Sequence, residues 1–262
     1  MWATICLMSP VSAQLQSRNL NLSREALLRY NRVEGLFVGY VVRVTPSKAR
    51  HVTGTVSGGY GIHNKGSRWD VGLKIDKTRW AAGAALFDRT ASPNEAIVRT
   101  AENTLFTLLF KGDYRDYFRI RNGFEVDFRY KSTRYLSLLA YLSAFEYRSM
   151  PVDVSWTVFR NDDNFRPNPA IREGDAAVFK TGILYNNRRK SPIFRNAWLV
   201  SLIYERGFRE FPYNGFSIAF KRYQKTILGR QAFVARGLLG TRESTDEQLL
   251  YDLGGISTLR GY

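Results

Sequence analysis

The sequence predicts an all-β fold, an antiparallel transmembrane β-barrel with one short amphipathic helix. Three observations lead to this prediction. From Gly35 onwards, apolar and polar residues alternate with period two in segments of about 9 to 14 residues. Aromatic residues make up 14% of the chain, which is typical of β structure. Apolar stretches stay well below the roughly 18 to 20 residues of a membrane-spanning helix, so strands in a closed barrel would have to cross the bilayer.

The N-terminal residues predict export. Residues 1–17 carry no charge and include Val11-Ser12-Ala13, a small-residue pattern that resembles a signal-peptidase site, although a basic beginning is missing. We therefore expect a signal peptide at 1–13, the alternative being an ordinary disordered terminus. Residues 14–34 follow as a lead-in, and 35–262 form the β-barrel domain.

The alternation of apolar and polar residues predicts where the strands lie. In 68–76, Trp69, Val71, Leu73 and Ile75 share one face and charged residues occupy the other. The same reading predicts eleven strands, at 35–45, 51–62, 68–77, 80–88, 117–131, 134–147, 152–159, 175–185, 196–206, 214–225 and 230–240. Strands of soluble sandwiches are typically about five or six residues long, whereas a tilted bilayer crossing takes about 9 to 11. Most of the segments fit the crossing, and a large soluble barrel or stacked sheets remain the alternative.

One segment predicts a helix instead. Ser92-Pro93-Asn94-Glu95 resembles a capping box, and Gly112 is a plausible stop. Between them Ile97, Ala101, Leu105 and Leu108 recur at helical spacing, so we expect an amphipathic helix at 93–110 that packs against the barrel or plugs its mouth, with partner binding as the alternative. Counting strands from 35–45 places this helix in the periplasm and places both loop 160–174 and the segment from Thr241 outside.

The last residues carry a family resemblance. Leu253-Gly254-Gly255, followed by Leu259-Arg260-Gly261-Tyr262, resembles the signature loop of the BamA/TamA-like bacterial surface antigen superfamily. Two further stretches resemble barrels of this superfamily. They are Tyr30-Asn31-Arg32-Val33-Glu34-Gly35, before the first strand, and Glu102-Asn103 with Asp113-Tyr114-Arg115-Asp116-Tyr117, between helix and strand.

The resemblance implies a sixteen-stranded barrel of the bacterial outer membrane that inserts or translocates proteins, and a signature loop between strands eleven and twelve. It implies that Arg260 folds into the lumen, that Gly261 permits a tight turn and that Tyr262 stacks or caps; a surface Arg-Gly turn is the alternative. The family usually carries periplasmic POTRA modules, for which the residues before Gly35 leave no room. The chain also stops at Tyr262, where the resemblance implies five more strands. We therefore expect 35–262 to be an incomplete outer-membrane β-barrel domain in a C-terminally truncated fragment.

The charge allows several partners. Lys and Arg number 39 against 23 Asp and Glu, a net charge of +16. Basic residues such as Lys74, Arg129, Lys131 and Lys221 alternate with apolar ones, which predicts a polar lumen, while Arg188-Arg189-Lys190 could lie near lipid phosphate. Expected partners are outer-membrane lipid or lipopolysaccharide and client proteins. A passive pore for small anions and a soluble basic β protein that binds nucleic acid are the alternatives, although no motif favours nucleic acid.

The sequence predicts no enzyme and no cofactor. His51 and His63 are the only histidines and lack partners at metal-ligand spacing. Nucleophile-elbow and phosphate-loop motifs are missing. Asp162 and Asp163 could bind a cation, but a solvated loop is the simpler interpretation.

Overall fold

The computed structural model describes residues 12–16, 20–93, 100–159, 164–188, 196–225 and 232–250. In this part of the chain, twelve strands form one antiparallel sheet in which sequence neighbours pair. The strands are β1 (Ser12–Gln16), β2 (Leu20–Asn31), β3 (Gly35–Pro46), β4 (Val52–Gly61), β5 (Gly66–Asp76), β6 (Trp80–Ala91), β7 (Phe118–Lys131), β8 (Leu136–Ser149), β9 (Gly174–Asn186), β10 (Ala197–Arg209), β11 (Tyr213–Lys225) and β12 (Ala232–Glu243). Helix α1 (Thr100–Phe110) lies between β6 and β7, and short 3-10 helices span Ser47–Ala49 and Glu247–Leu249. Over the described residues β1 and β12 do not pair, so the sheet is open.

Ten of the eleven predicted strands are confirmed, as β3 to β12. The prediction of a strand at 152–159 is wrong. This segment donates its backbone N–H groups elsewhere: Asp153 to the carbonyl of Arg32 at 3.3 Å, and Val158 and Phe159 to the carbonyls of Leu108 and Leu109 at 2.9 and 3.2 Å. Because these donors bind the β2–β3 turn and the end of α1, the segment does not join the sheet, although its side chains alternate.

Two strands lie where none was predicted. β2 falls in the expected lead-in, and β1 lies across the boundary between the expected signal peptide and that lead-in. The alternation of β2 is broken because Arg24 shares a face with Val42, and Leu27 lies on the opposite face beside Gly39. Together with the ten confirmed strands, β1 and β2 make twelve in the described residues, of which eleven run from Leu20 to Glu243.

The sheet has an apolar face. Cross-strand register places on it alternate residues from each strand, among them Leu36, Val38, Tyr40, Val42 and Val44 of β3, Trp69, Val71, Leu73 and Ile75 of β5, and Phe124, Val126, Phe128 and Tyr130 of β7. Many of these side chains are exposed, including Val56, Val71 and Leu73 at 54%, 46% and 52%. The alternation prediction is thus confirmed as a two-faced sheet whose apolar face is not covered by the chain's described residues.

The opposite face, the polar face, carries charged residues of many strands. All four basic residues singled out in the sequence, Lys74, Arg129, Lys131 and Lys221, lie on it by register. Ion pairs join its strands, for example Arg89 to Glu125 at 2.9 Å. Bulges between Phe87 and Arg89 and between Arg121 and Phe124 interrupt the β6 and β7 ladders near one end.

That end of the sheet gathers the long connections. The turn from β2 to β3, α1 with residues 111–117, the connection 150–173 and the segment 244–250 all follow even-numbered strands and therefore lie at the same end. The predicted placement of the helix opposite loop 160–174 and the segment after Thr241 is wrong, since the false strand 152–159 reversed the count. Within the described residues, no helix is both long and apolar enough to cross a membrane.

The sheet is curled. Arg32, after β2, lies 3.1 Å from Asn168, which precedes β9. Strands are spaced about 4.8 Å apart, so the six intervals from β2 to β8 would span roughly 29 Å in a flat sheet. Curling brings these connections together and forms the site described next.

Candidate functional site

A buried polar network occupies the end of the sheet where the long connections meet. Its central members are Arg32, Glu34, Asn103, Asp113 and Asn168. Arg32 and Glu34 are both 0% exposed. Charged groups removed from water in this way need partners, because an unpaired buried charge is strongly destabilising.

The β2–β3 turn places the first two members. The Asn31 carboxamide oxygen accepts the N–H groups of Val33 at 3.1 Å and Glu34 at 2.7 Å, which closes the turn. Gly35 then adopts φ +67°, a conformation that favours glycine. As a result the side chains of Arg32 and Glu34 contact different partners.

Glu34 connects β2, β5 and β6. Its carboxylate accepts two hydrogen bonds from Arg29, at 2.9 and 3.0 Å, and one from the Thr90 hydroxyl at 2.6 Å. Arg68 lies 3.5 Å away. Burial alone would raise the pKa of Glu34, but the charge of Arg29 and hydrogen bonds from Thr90, Arg29 and Asn31 outweigh it, and the pKa is lowered. Glu34 is therefore ionised at neutral pH.

Arg32 connects the turn to the residues after α1. Its guanidinium donates to the Asp113 carbonyl at 3.1 Å, to the Asp116 carboxylate at 2.9 Å and to Asn168 at 3.1 Å. Its backbone N–H donates to the Asp113 carboxylate at 3.0 Å. The Tyr117 ring faces the guanidinium at 5.6 Å, a cation–π geometry. A planar group with several donors suits this role.

Asp113 holds α1 in place. Its carboxylate accepts hydrogen bonds from the Asn103 amide at 2.9 Å and the Tyr117 hydroxyl at 3.0 Å. Burial, and then the charge of Asp113, raise the pKa of Tyr117, so the phenol stays protonated as a donor. Asn168 completes the network by donating to the carbonyls of Tyr117 and Met150, both at 2.7 Å.

The polar face holds a second charged cluster near the same end. Glu205 lies 3.1 Å from Lys180 and forms an ion pair with Arg242, which also donates to the Leu249 carbonyl. Beside this cluster lies a cavity of about 400 Å³, with Tyr141 and Leu249 in its lining. Residues 246–249 are thus fastened to Arg242 of the polar face and to Arg172 of the connection 150–173, which binds Asp246 at 3.1 Å.

The buried polar network fastens the connections at this end of the sheet to one another. Arg32 and Glu34 are engaged by several strong partners each, and among the described residues only the Nε of the Arg32 guanidinium lacks a hydrogen-bond partner within this pair of side chains. Dense buried networks of this kind give rigidity. In the ranges that the structure describes, no three His, Cys, Asp or Glu side chains are grouped so that they could hold a metal ion.

The structure describes only some of the residues that the sequence singled out. The signature residues Leu259, Arg260, Gly261 and Tyr262 lie outside the described residues, as do Asp162, Asp163 and most of the signal peptide. The two other resembling stretches come together, because Arg32 contacts Asp113, Asp116 and Tyr117. Sequence reasoning missed that they form one network, although the conspicuous Asn-Arg-Val-Glu-Gly turn marked half of it.

Helix α1 differs from the prediction in the side chains that it turns inward. Thr100–Phe110 is helical as expected, but the face of α1 turned to the network is polar, with Asn103 and Thr107 buried. Of the predicted apolar stripe, Leu108 packs beside Tyr30, whereas Ala101 is exposed and Ile97 lies outside the described residues. The buried carboxylate of Asp113 requires donors, which explains why polar residues of α1 face inward.

Compared with known proteins, the chain matches no protein-family model and no curated sequence above the level of chance.

Proposed function

We propose that the curled sheet forms part of the wall of a transmembrane β-barrel in the bacterial outer membrane. The observation that carries the proposal is the apolar face, on which three adjacent residues of one side of β5, Trp69, Val71 and Leu73, are 42%, 46% and 52% exposed. A soluble monomer rarely exposes contiguous apolar surface beyond a few hundred Å². Acyl chains would cover this face without any protein partner, and the strand lengths of β3 to β12 suit a tilted crossing.

Cations on the apolar face of β10 and β11 support the same proposal. Arg206 and Arg222 stack on Phe208 and Trp198, with 5.3 and 4.8 Å between guanidinium and ring centre. Both lie towards strand ends, where long basic side chains and aromatic rings can reach the headgroup level.

Connection lengths support an orientation. The two longest connections, 92–117 and 150–173, lie at the end of the buried polar network, whereas the longest connection at the opposite end is 187–196. Outer-membrane barrels have short periplasmic turns and longer extracellular loops. We therefore place the network and α1 on the extracellular side. This orientation makes the short link at Thr78-Arg79 periplasmic.

Protein insertion or translocation is the function we propose for this barrel, as the resemblance implies. It is supported by the contact between the two resembling stretches and by the fastening of residues 246–249 to the polar face, just before the signature residues. A locked network at one end would hold the long connections still while substrate passes or inserts beside them.

Reconstitution tests the proposal. The full chain, refolded with vesicles of phosphatidylethanolamine and phosphatidylglycerol, should float with them, resist alkaline extraction and protect its strands from added protease. Vesicles that hold the protein should then accelerate the insertion of a second, denatured outer-membrane protein over empty vesicles. A chain that stays monomeric in plain buffer and ignores vesicles would refute the barrel.

A passive anion pore is the second candidate, favoured by the basic residues of the polar face. Lys74, Arg129, Lys131, Lys180, Lys221 and Arg242 all lie there. Steady anion-selective conductance in planar bilayers, without acceleration of client insertion, would favour the pore.

A further inference from the structure

Helix α1 is built with its polar side inward. Asn103 and Thr107 are 2% and 0% exposed, whereas Phe106 and Phe110, one turn apart on the adjoining side, are 43% and 50% exposed. An ordinary surface helix buries its apolar side. Asn103 joins the polar side of α1 to the buried polar network, and the adjoining side chains of Phe106 and Phe110 stay about half exposed.

The exposed aromatic side belongs to a larger aromatic patch. Ring contacts extend it from Phe106 to Tyr114 at 6.2 Å and from Phe110 to Phe159 at 5.8 Å. The patch consists of Phe106, Phe110, Tyr114, Trp156, Val158 and Phe159, which are between 43% and 69% exposed. It therefore joins α1 to the segment 152–159, the segment that failed to become a strand.

The aromatic patch adjoins the end of the apolar face. The Trp156 ring contacts that of Tyr30 at 6.5 Å, and the Tyr30 hydroxyl donates to the Trp156 carbonyl at 2.6 Å. Tyr30 pairs with Leu36, so it lies on the apolar face of β2, next along that face from Leu28, which is 58% exposed. An apolar surface thus continues from the strands onto the patch.

We propose that the aromatic patch inserts into the boundary between headgroups and acyl chains of the bilayer leaflet next to it. This inference rests on the proposed function, which supplies the bilayer. Phe, Tyr and Trp suit this depth because their rings are apolar and those of Tyr and Trp also carry a hydrogen-bonding group.

The size of the patch favours lipid over a second copy of the chain. Half-exposed side chains of this kind offer roughly 100 Å² each, and six give about 600 Å². A stable protein interface takes about 800 Å² from each partner. A lipid boundary requires neither that area nor a complementary shape.

Site-specific labelling tests the proposal. In a Cys6→Ser background, the full chain carries one cysteine, introduced as Phe110→Cys, Ala101→Cys or Val126→Cys, and a small fluorescent label. Ala101 is the matched control because it is exposed on the opposite side of the same helix, and Val126 reports on the apolar face itself. Each variant is refolded with vesicles of phosphatidylethanolamine and phosphatidylglycerol that contain lipids spin-labelled at the headgroup or mid-chain.

We expect the label at residue 110 to shift its emission to the blue and to be quenched most by headgroup spin labels. The label at residue 101 should be quenched by aqueous iodide, and the label at 126 by mid-chain spin labels. If 126 behaves so while 110 is as open to iodide as 101, or is shielded from lipid and iodide alike, the inference about the patch is overturned and the barrel stands. If 126 is also open to iodide, the proposed function fails and the inference fails with it.

Discussion

At the scale of single residues, Arg32 decides how the connections assemble. Its guanidinium and backbone N–H reach Asp113, Asp116 and Asn168, which belong to two connections far apart in the sequence. The side chain is fully buried, so each of these contacts is made without competition from water.

Arg32→Leu should lower the free energy of unfolding by about 3 to 5 kcal/mol, because it leaves Asp113 buried without its cation. Urea titration of the vesicle-refolded chain, followed by tryptophan fluorescence, measures the change. Arg43→Leu is the control, since Arg43 pairs with Glu25 at 3.0 Å but is 47% exposed, and should cost less than about 1 kcal/mol. Equal effects of both variants would show that the network does not stabilise the fold.

Glu34 gives this end of the sheet a pH dependence. Its pKa is lower in the fold than the ordinary value of 4.5, so the ionised form stabilises the fold at pH values above 4.5 and this contribution is lost as the pH falls through the lowered pKa. We expect Glu34→Gln to lower the free energy of unfolding at pH 7 by about 1 to 3 kcal/mol. Urea titrations of both proteins from pH 7 to pH 3 should converge towards acid pH, and parallel curves would contradict the assignment.

At the scale of elements, glycines let aromatic rings lie flat against the polar face. A Cβ atom added at Gly59 of β4 would fall well inside contact distance of the Phe37 ring, whereas one added at Gly54 of the same strand would meet nothing within 4 Å. The two glycines therefore differ in what surrounds them, not in the strand that carries them.

Gly59→Ala should destabilise the protein by about 1 to 3 kcal/mol, because Phe37 must leave its position. Gly54→Ala should be neutral or slightly stabilising, because alanine restricts the unfolded chain more than glycine does. Thermal unfolding followed by circular dichroism compares the two, and a neutral Gly59→Ala would mean that Phe37 moves freely.

At the scale of the whole molecule, the two faces of the sheet differ in the surroundings that suit them. Val56 and Ser57 are neighbours on β4, but Val56 lies on the apolar face and Ser57, which pairs with Asp70, lies on the polar face. A charge should therefore be tolerated at one position and not at the other.

Val56→Lys should reduce insertion into vesicles and cost about 2 to 4 kcal/mol if the residue lies near the bilayer centre. Ser57→Lys should insert almost as well as the original chain. The fraction of each protein that floats with vesicles measures this, and equal flotation would count against a lipid-facing apolar side.

The sequence by itself determined the position of those strands and of the helix whose pattern repeats over neighbouring residues. Period-two alternation located β3 to β12, and the spacing of apolar residues with Gly112 located α1, because side-chain direction in strands and helices repeats over a few residues. The same local pattern misled at 152–159, where alternation was present without a neighbouring strand to pair with.

Only the tertiary structure decided which distant groups meet. β2 forms through pairing with β3 although Arg24 and Leu27 break its pattern, and Arg32 finds Asp113 and Asn168 across 81 and 136 residues. Likewise, the inward polar side of α1 follows from the buried carboxylate of Asp113, a partner that no periodicity within the helix reveals. Such contacts depend on the curl of the whole sheet, which brings together connections that lie far apart in the sequence.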